Sequence, residues 1–198
     1  MKSRSLLPLG AMLLAALPAL AEFKSDIAAI RQVGAEGKGN TPAAAAWQQL
    51  AKGDAKSIVS LLAAMDDAND LAANYLRSAV DAIADRELAA KRPLPQAELE
   101  KFLADTKHNP RARRLAYELI ARVSPATAEK LMPTFVNDPS VELRRDAVQR
   151  LIDAADQALA AQDKAVATKG FSDGTDPCRG QTQNWPTWVS GWSQWGHF

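Results

Sequence analysis

Asn109-Pro-Arg-Ala-Arg-Arg-Leu-Ala116 and Asp138-Pro-Ser-Val-Glu-Leu-Arg-Arg-Asp-Ala147 carry one irregular pattern twice. Ala116 and Ala147 each follow an Arg two positions back, Arg114 and Arg145, and each precedes an aliphatic four positions on, Ile120 and Leu151. A looser copy has Arg77, Ala79 and Ile83, so the Arg-to-Arg intervals are 37 and 31 residues. That interval holds two short helices and their turns, the period of a stack of helical hairpins. Such stacks build binding surfaces and rarely chemistry.

Working outward, apolar residues recur at helical spacing through most of the chain. Ile27, Ile30 and Val33 form one stripe. Gly34-Ala-Glu-Gly-Lys-Gly39 then reads as a connector. It lacks the glycine spacing, the hydroxyl after Lys and the preceding strand of a phosphate loop. Thr41-Pro42 predicts a capped helix with Ala44, Trp47 and Leu50 inward. Asp54 predicts the cap of a helix burying Ile58, Val59, Leu61, Leu62 and Met65. The next helix runs to about Asp85 with Leu71, Tyr75, Leu76, Ala79, Val80 and Ile83 on its apolar side. A short helix over Gln96–Thr106 buries Leu99, Phe102 and Leu103. The two repeat helices follow, separated by one that starts at Ser124-Pro125 and that Pro133 must bend or shorten. Each stripe is too small to stabilise its helix alone, and antiparallel neighbours stacked in series supply the missing burial. The small Ala at each repeat centre lets two helices approach closely.

Asn109–Ile120 and Asp138–Leu151 resemble the HEAT-repeat motif, in which Asp-Pro opens the second helix of a pair and an aliphatic residue, Arg, Ala and Leu follow. Leu143, Arg144, Ala147 and Leu151 fit that order; the earlier copy has Asn109 for Asp and Ala112 for the aliphatic residue, and is two residues shorter before it. The chain is similar to exported HEAT-like proteins of planctomycete-type bacteria. The resemblance implies an all-α, right-handed ARM-like α-solenoid acting as a scaffold or recognition module, and it carries no catalytic residues.

The ends of the chain read differently. Lys2 and Arg4, the apolar run Leu6–Leu20 and Ala19-Leu20-Ala21 have the order of a secretory signal, so residues 1–21 are expected to be removed and the product exported to the periplasm or beyond. The run is too short, and too broken by Pro8 and Pro18, to span a bilayer. Lys2 and Arg4 leave with it, so the 24 basic residues fall to 22 against 23 acidic ones. A net charge near −1 lacks the positive field that nucleic acid requires. Cys178 stands alone and cannot form an intramolecular disulfide. The helical domain is therefore expected over residues 22–169. Residues 170–198 turn polar and Gly-rich, which predicts disorder, and hold Trp185, Trp188, Trp192 and Trp195 at 3-4-3 spacing. Two explanations compete for that tail. As a genuine segment, its indoles would stack on sugar rings or settle at an envelope surface. As the product of a shifted reading frame, a Leu/Val stripe would be misread as Trp, and a further domain would be lost.

No constellation points to an enzyme, a cofactor or a metal. Asp66, Asp67, Asn69 and Asp70 are oxygen donors, but without the alternating spacing and distal Glu of a calcium loop, and helix capping accounts for them. His108 and His197 lie far apart, and His108 is expected to cap or face solvent. The paired arginines have two readings. In one, Arg113-Arg114 and Arg144-Arg145 form a basic ridge able to grip carboxylates or phosphates, and a concave face that binds another protein is expected to expose some of Arg77, Arg113, Arg144, Glu118 and Gln149. In the other they form a structural ladder to acids and carbonyls of neighbouring repeats, with Asp138, Glu142 and Asp146 near enough to neutralise them.

Overall fold

A computed structural model describes residues 16–175, with side chains from 21 to 173. Among these residues the chain is all-helical: nine α-helices and two 3-10 turns, with no strand. The helices are α1 (Ala16–Arg31), α2 (Asn40–Leu50), α3 (Ser57–Ala64), α4 (Asp70–Ala89), α5 (Gln96–Ala104), α6 (Pro110–Val123), α7 (Pro125–Leu131), α8 (Val141–Ala160) and α9 (Lys164–Thr175). The chain divides into two compact units, one up to Glu129 and one from Lys130.

In the first unit consecutive helices pack as the pairs α1/α2, α3/α4 and α5/α6. Like members of neighbouring pairs also touch: α2 with α4, α4 with α6, and α3 with α5. Their directions follow from the polar contacts. Trp47 donates Nε1–H to Ser78 Oγ at 2.9 Å, and Arg86 further along α4 donates to the Ala51 carbonyl at 2.6 Å. Between α4 and α6 the pairs Asp70–Arg111 (2.9 Å), Arg77–Glu118 (2.6 Å) and Asp85–Arg122 (2.5 Å) climb both helices together. Helices α2, α4 and α6 are therefore parallel neighbours. The core between the layers holds Ile30, Leu50, Ile58, Leu61, Leu62, Met65, Leu76, Val80, Ile83, Leu99, Leu103, Leu115 and Ile120, each buried. At about 1.5–3 kcal/mol for each large aliphatic side chain, this shared burial is what a lone hairpin lacks.

Sequence and structure agree on most of these faces and differ at informative places. Ala79, Ala116 and Ala147, on which the sequence pattern is anchored, are all buried. In α2 the buried residues are Ala43, Ala46 and Leu50, and Ala44 is exposed, one residue out of the expected phase. A run of alanines contains no large side chain to fix that phase. The helix also starts at Asn40, with Gly39 at its N-cap and no side-chain cap, so Thr41 does not cap it. Gly39 has φ +75°, and a Cβ there would lie 2.8 Å from the Gln32 carbonyl oxygen, so both backbone and space require glycine. The 34–39 connector is a tight turn, closed by Gly34 N–H donating to the Lys38 carbonyl at 2.9 Å. Leu71, expected inward, is 45% exposed in the first turn of α4. Asp54 Oδ1 accepts from the N–H groups of Lys56 and Ser57 in the turn that leads into α3, whose N-cap is Lys56 and not Asp54.

In the second unit, α7 gives way to the 3-10 turn Met132–Phe135, which contains Pro133. Helix α8 starts at Val141 behind an N-cap Ser140 whose Oγ accepts from Leu143 N–H. It packs on that turn and against α9. Helix α9 continues to Thr175, beyond the boundary expected at residue 169. At Gly170 a Cβ would meet Ala155 Cβ at 2.8 Å, so α8 and α9 pack too closely there for any larger residue. The remaining tail, with its tryptophans, Cys178 and His197, lies outside the described residues, as does most of the N-terminal signal-like run.

Candidate functional site

The arginines are the first candidates, and most have structural employment. Arg113 is 2% exposed and donates Nε–H to the Leu103 carbonyl at 2.9 Å, closing the end of α5. Its burial removes it from any exposed binding surface, which corrects that expectation. Arg31 donates to the Ala64 carbonyl at 2.8 Å, at the end of α3. A guanidinium over the last carbonyls satisfies acceptors that a helix leaves open and suits the negative end of its dipole. Arg144 donates to the Asp138 carbonyl at 2.8 Å, in the loop before its own helix.

Arg77 and Glu118 come together at 2.6 Å, and Arg114 joins Glu118 at 3.1 Å from the other side. Arg77 and Arg114, on different helices, thus share one carboxylate. Asp81 lies beside them, 3.7 Å from Arg77. Burial pushes its carboxyl above the usual range, and Arg77 pulls it back down while Asp85 and Glu118 push it further up. Gln149 is not part of this group: on α8 its amide donates to Asp153 at 2.8 Å. The ion pairs on α4 and α6 are partly exposed, so each is worth only about 0–1 kcal/mol. Together they resemble the ladder reading of the arginines more than a vacant binding face.

The acidic cluster is also occupied. Asp66 accepts from the His108 ring at 2.7 Å and from Asn109 N–H at 2.8 Å, Asp70 accepts from Arg111, and Asn69 Oδ1 accepts from Ala72 N–H. His108 stacks on Phe102 with centroids 3.8 Å apart, an interaction that sequence spacing does not reveal.

A different group lines a groove that sequence reading missed. A groove of about 620 Å³ is lined by Lys52, Gly53, Asp54, Ala55, Lys56, Arg86, Glu87, Arg92 and Pro93. These residues come from the α2–α3 loop, the end of α4 and the α4–α5 loop. Glu87 anchors it. Its buried carboxylate accepts from Arg92 Nε at 2.5 Å and Nη2 at 2.9 Å, and from Arg86 Nη2 at 3.2 Å. These hydrogen bonds, with Arg92 first, outweigh burial and hold its carboxyl down to about 2. The backbone reinforces this geometry. Arg92 N–H donates to the Glu87 carbonyl at 2.8 Å and Lys91 N–H to that of Leu88 at 2.9 Å, with Lys91 at φ +55°, a Schellman close of α4. Arg86 also reaches the carbonyls of Ala51 and Gly53 in the preceding loop.

The groove carries four cations against two carboxylates. Both carboxylates are committed, Glu87 to the two arginines and Asp54 to the start of α3. Lys52 makes one long bond, 3.3 Å, to Gln49, and Lys56 has no side-chain partner among the described residues. Such a site can attract an anion. No three His, Cys, Asp or Glu side chains gather as a metal site among the described residues, and no helix there is long and apolar enough to cross a membrane. No known family model, curated protein or solved structure matches the chain.

Proposed function

We propose that this chain is an exported, non-enzymatic scaffold, a right-handed HEAT/ARM-like solenoid whose stacked hairpins bind another protein. The observation that supports this reading best is the parallel alignment of α2, α4 and α6, each packed beside the next. Laying equivalent helices side by side produces a continuous surface with more area than any one hairpin offers, which is the use such stacks have. Export rests on the order of residues 1–21. Photo-crosslinking side chains at Gln48 and Asn74, both exposed on α2 and α4, test the reading in exporting cells. It expects a chain beginning at Glu22 that is cross-linked to one defined protein. Retention of residues 1–21 would contradict export, and cross-links to polysaccharide alone would contradict the protein-binding role.

A further inference from the structure

We propose that the groove rimmed by Lys52, Lys56 and Arg92 binds an extended, acidic segment of the partner protein. This rests on the scaffold reading and gives its binding surface a chemistry. Charge is the first ground. The full chain is nearly neutral, with 24 basic and 23 acidic residues, yet this groove alone has two more cations than carboxylates. A local excess on a neutral background directs an acidic partner to one place.

Preorganisation is the second. Arg92 is fixed by its backbone bond to Glu87 and by two side-chain bonds to the same residue, while its Nη1 has no partner among the described residues. The guanidinium is therefore held in place before a ligand arrives, so less side-chain entropy is lost on binding. Lys52 and Lys56 lie on the opposite loop, the Lys52 ammonium held only by its long, exposed bond to Gln49 and that of Lys56 without a side-chain partner among the described residues. Glu87 therefore acts as a positioning residue for Arg92 and makes no ligand contact in this scheme.

Shape selects the class of partner. Gly53, Ala55 and Pro93 line the groove among the charged residues, and no large apolar side chain projects from it. A membrane surface would call for apolar or aromatic residues to insert beside the cations. A trough between two loops instead fits an extended chain carrying Asp or Glu.

The test is fluorescence anisotropy of the intact chain with a labelled hexaglutamate peptide, with phosphatidylglycerol vesicles as a second arm. We expect saturable peptide binding that weakens as salt rises, at least tenfold weaker binding for Lys52→Glu/Lys56→Glu, and several-fold weaker binding for Arg92→Gln. Lys101→Gln, exposed on α5 and outside the groove, should bind as the parent does. Circular dichroism identifies any variant that fails to fold, and the exposed double lysine variant keeps the test decisive if Arg92→Gln does not. Absence of saturable peptide binding, equal binding by the lysine variant, or binding to vesicles alone would overturn the proposal. If hexaglutamate fails while the cross-linked protein partner is still captured, the groove assignment falls and the scaffold reading stands.

Discussion

Asn69 Nδ2 donates to the Val33 carbonyl, thirty-six residues earlier, at 2.7 Å, while its Oδ1 accepts from Ala72 N–H at 2.9 Å. Asn109 repeats the arrangement one hairpin later, reaching the Met65 carbonyl at 3.3 Å and accepting from Arg111 N–H at 2.9 Å. In both places one amide caps the start of a helix and satisfies a carbonyl just beyond the end of a helix in the preceding pair. Asparagine suits this because it has a donor and an acceptor on one short side chain.

Replacing Asn69 by Ala should cost about 1–2 kcal/mol, the usual loss for a helix cap. Asn69→Asp keeps the acceptor and loses the donor to Val33, so it should fall between the two. The side chains of Asn69 and Asn109 bond to different partners, and their losses should add to within about 0.5 kcal/mol. Urea denaturation measures all of this. An Asn69→Asp variant as stable as the parent would mean that the bond to Val33 contributes nothing.

Gly39 and Gly34 give a second contrast. Gly39→Ala combines φ +75° with a Cβ 2.8 Å from the Gln32 carbonyl oxygen, and should destabilise by more than about 1 kcal/mol. Gly34→Ala meets only the flexible Lys38 side chain, at 3.7 Å, and should be neutral or slightly stabilising. Thermal unfolding of the two variants is enough to compare them; equal losses would contradict the turn geometry.

Much of this fold was legible in the sequence, for identifiable reasons. Pro110 and Pro125 lie at the starts of helices as expected, because proline's fixed φ suits the first turn. Leu99, Phe102, Leu103, Leu115, Leu119 and Ile120 are buried as their spacing implies. The phase of α2 was not legible, because four consecutive alanines weight every face alike. Arg113 and Glu87 were misjudged or overlooked through charge alone. Arg113 lies three and seven positions before Ala116 and Ile120, and Glu87 lies four after Ile83, so both sit on apolar lines. A charge on such a line signals a buried pair, and that signal was available. The groove itself was not, since its walls are loops more than thirty residues apart in the chain.

The carboxyl of Glu87 sets a pH dependence. Its folded pKa of about 2 lies below its ordinary value of 4.5, so its stabilisation is fully present above about pH 4.5 and is lost as pH falls towards 2. Glu87→Gln should melt below the parent at pH 7, and the two melting temperatures should converge as pH approaches 2. A constant difference across that range would contradict the bidentate pairing. Asp81 has the opposite sign: its raised carboxyl makes ionisation costly in the fold, so its contribution improves as pH falls.

Arg113 and Gln149 separate structural from surface roles. Arg113→Ala removes a buried donor from the Leu103 carbonyl and should cost at least about 2 kcal/mol. Gln149→Ala, exposed on α8, should stay within about 0.5 kcal/mol of the parent. Chemical denaturation decides between them. A stable Arg113→Ala variant would leave no reason for burying that guanidinium.

Dipolar EPR on labelled pairs measures most directly whether neighbouring hairpins stand in a row. Thr41, Leu71 and Arg111 are exposed and occupy the second positions of α2, α4 and α6, so each can be changed to Cys in a Cys178→Ser background and labelled two at a time. Packed helices lie about 8–10 Å apart. The 41–71 and 71–111 distances should be short and similar, and the 41–111 distance roughly twice as long. A 41–111 distance as short as the other two would place the three helices around a common centre and contradict the row of hairpins.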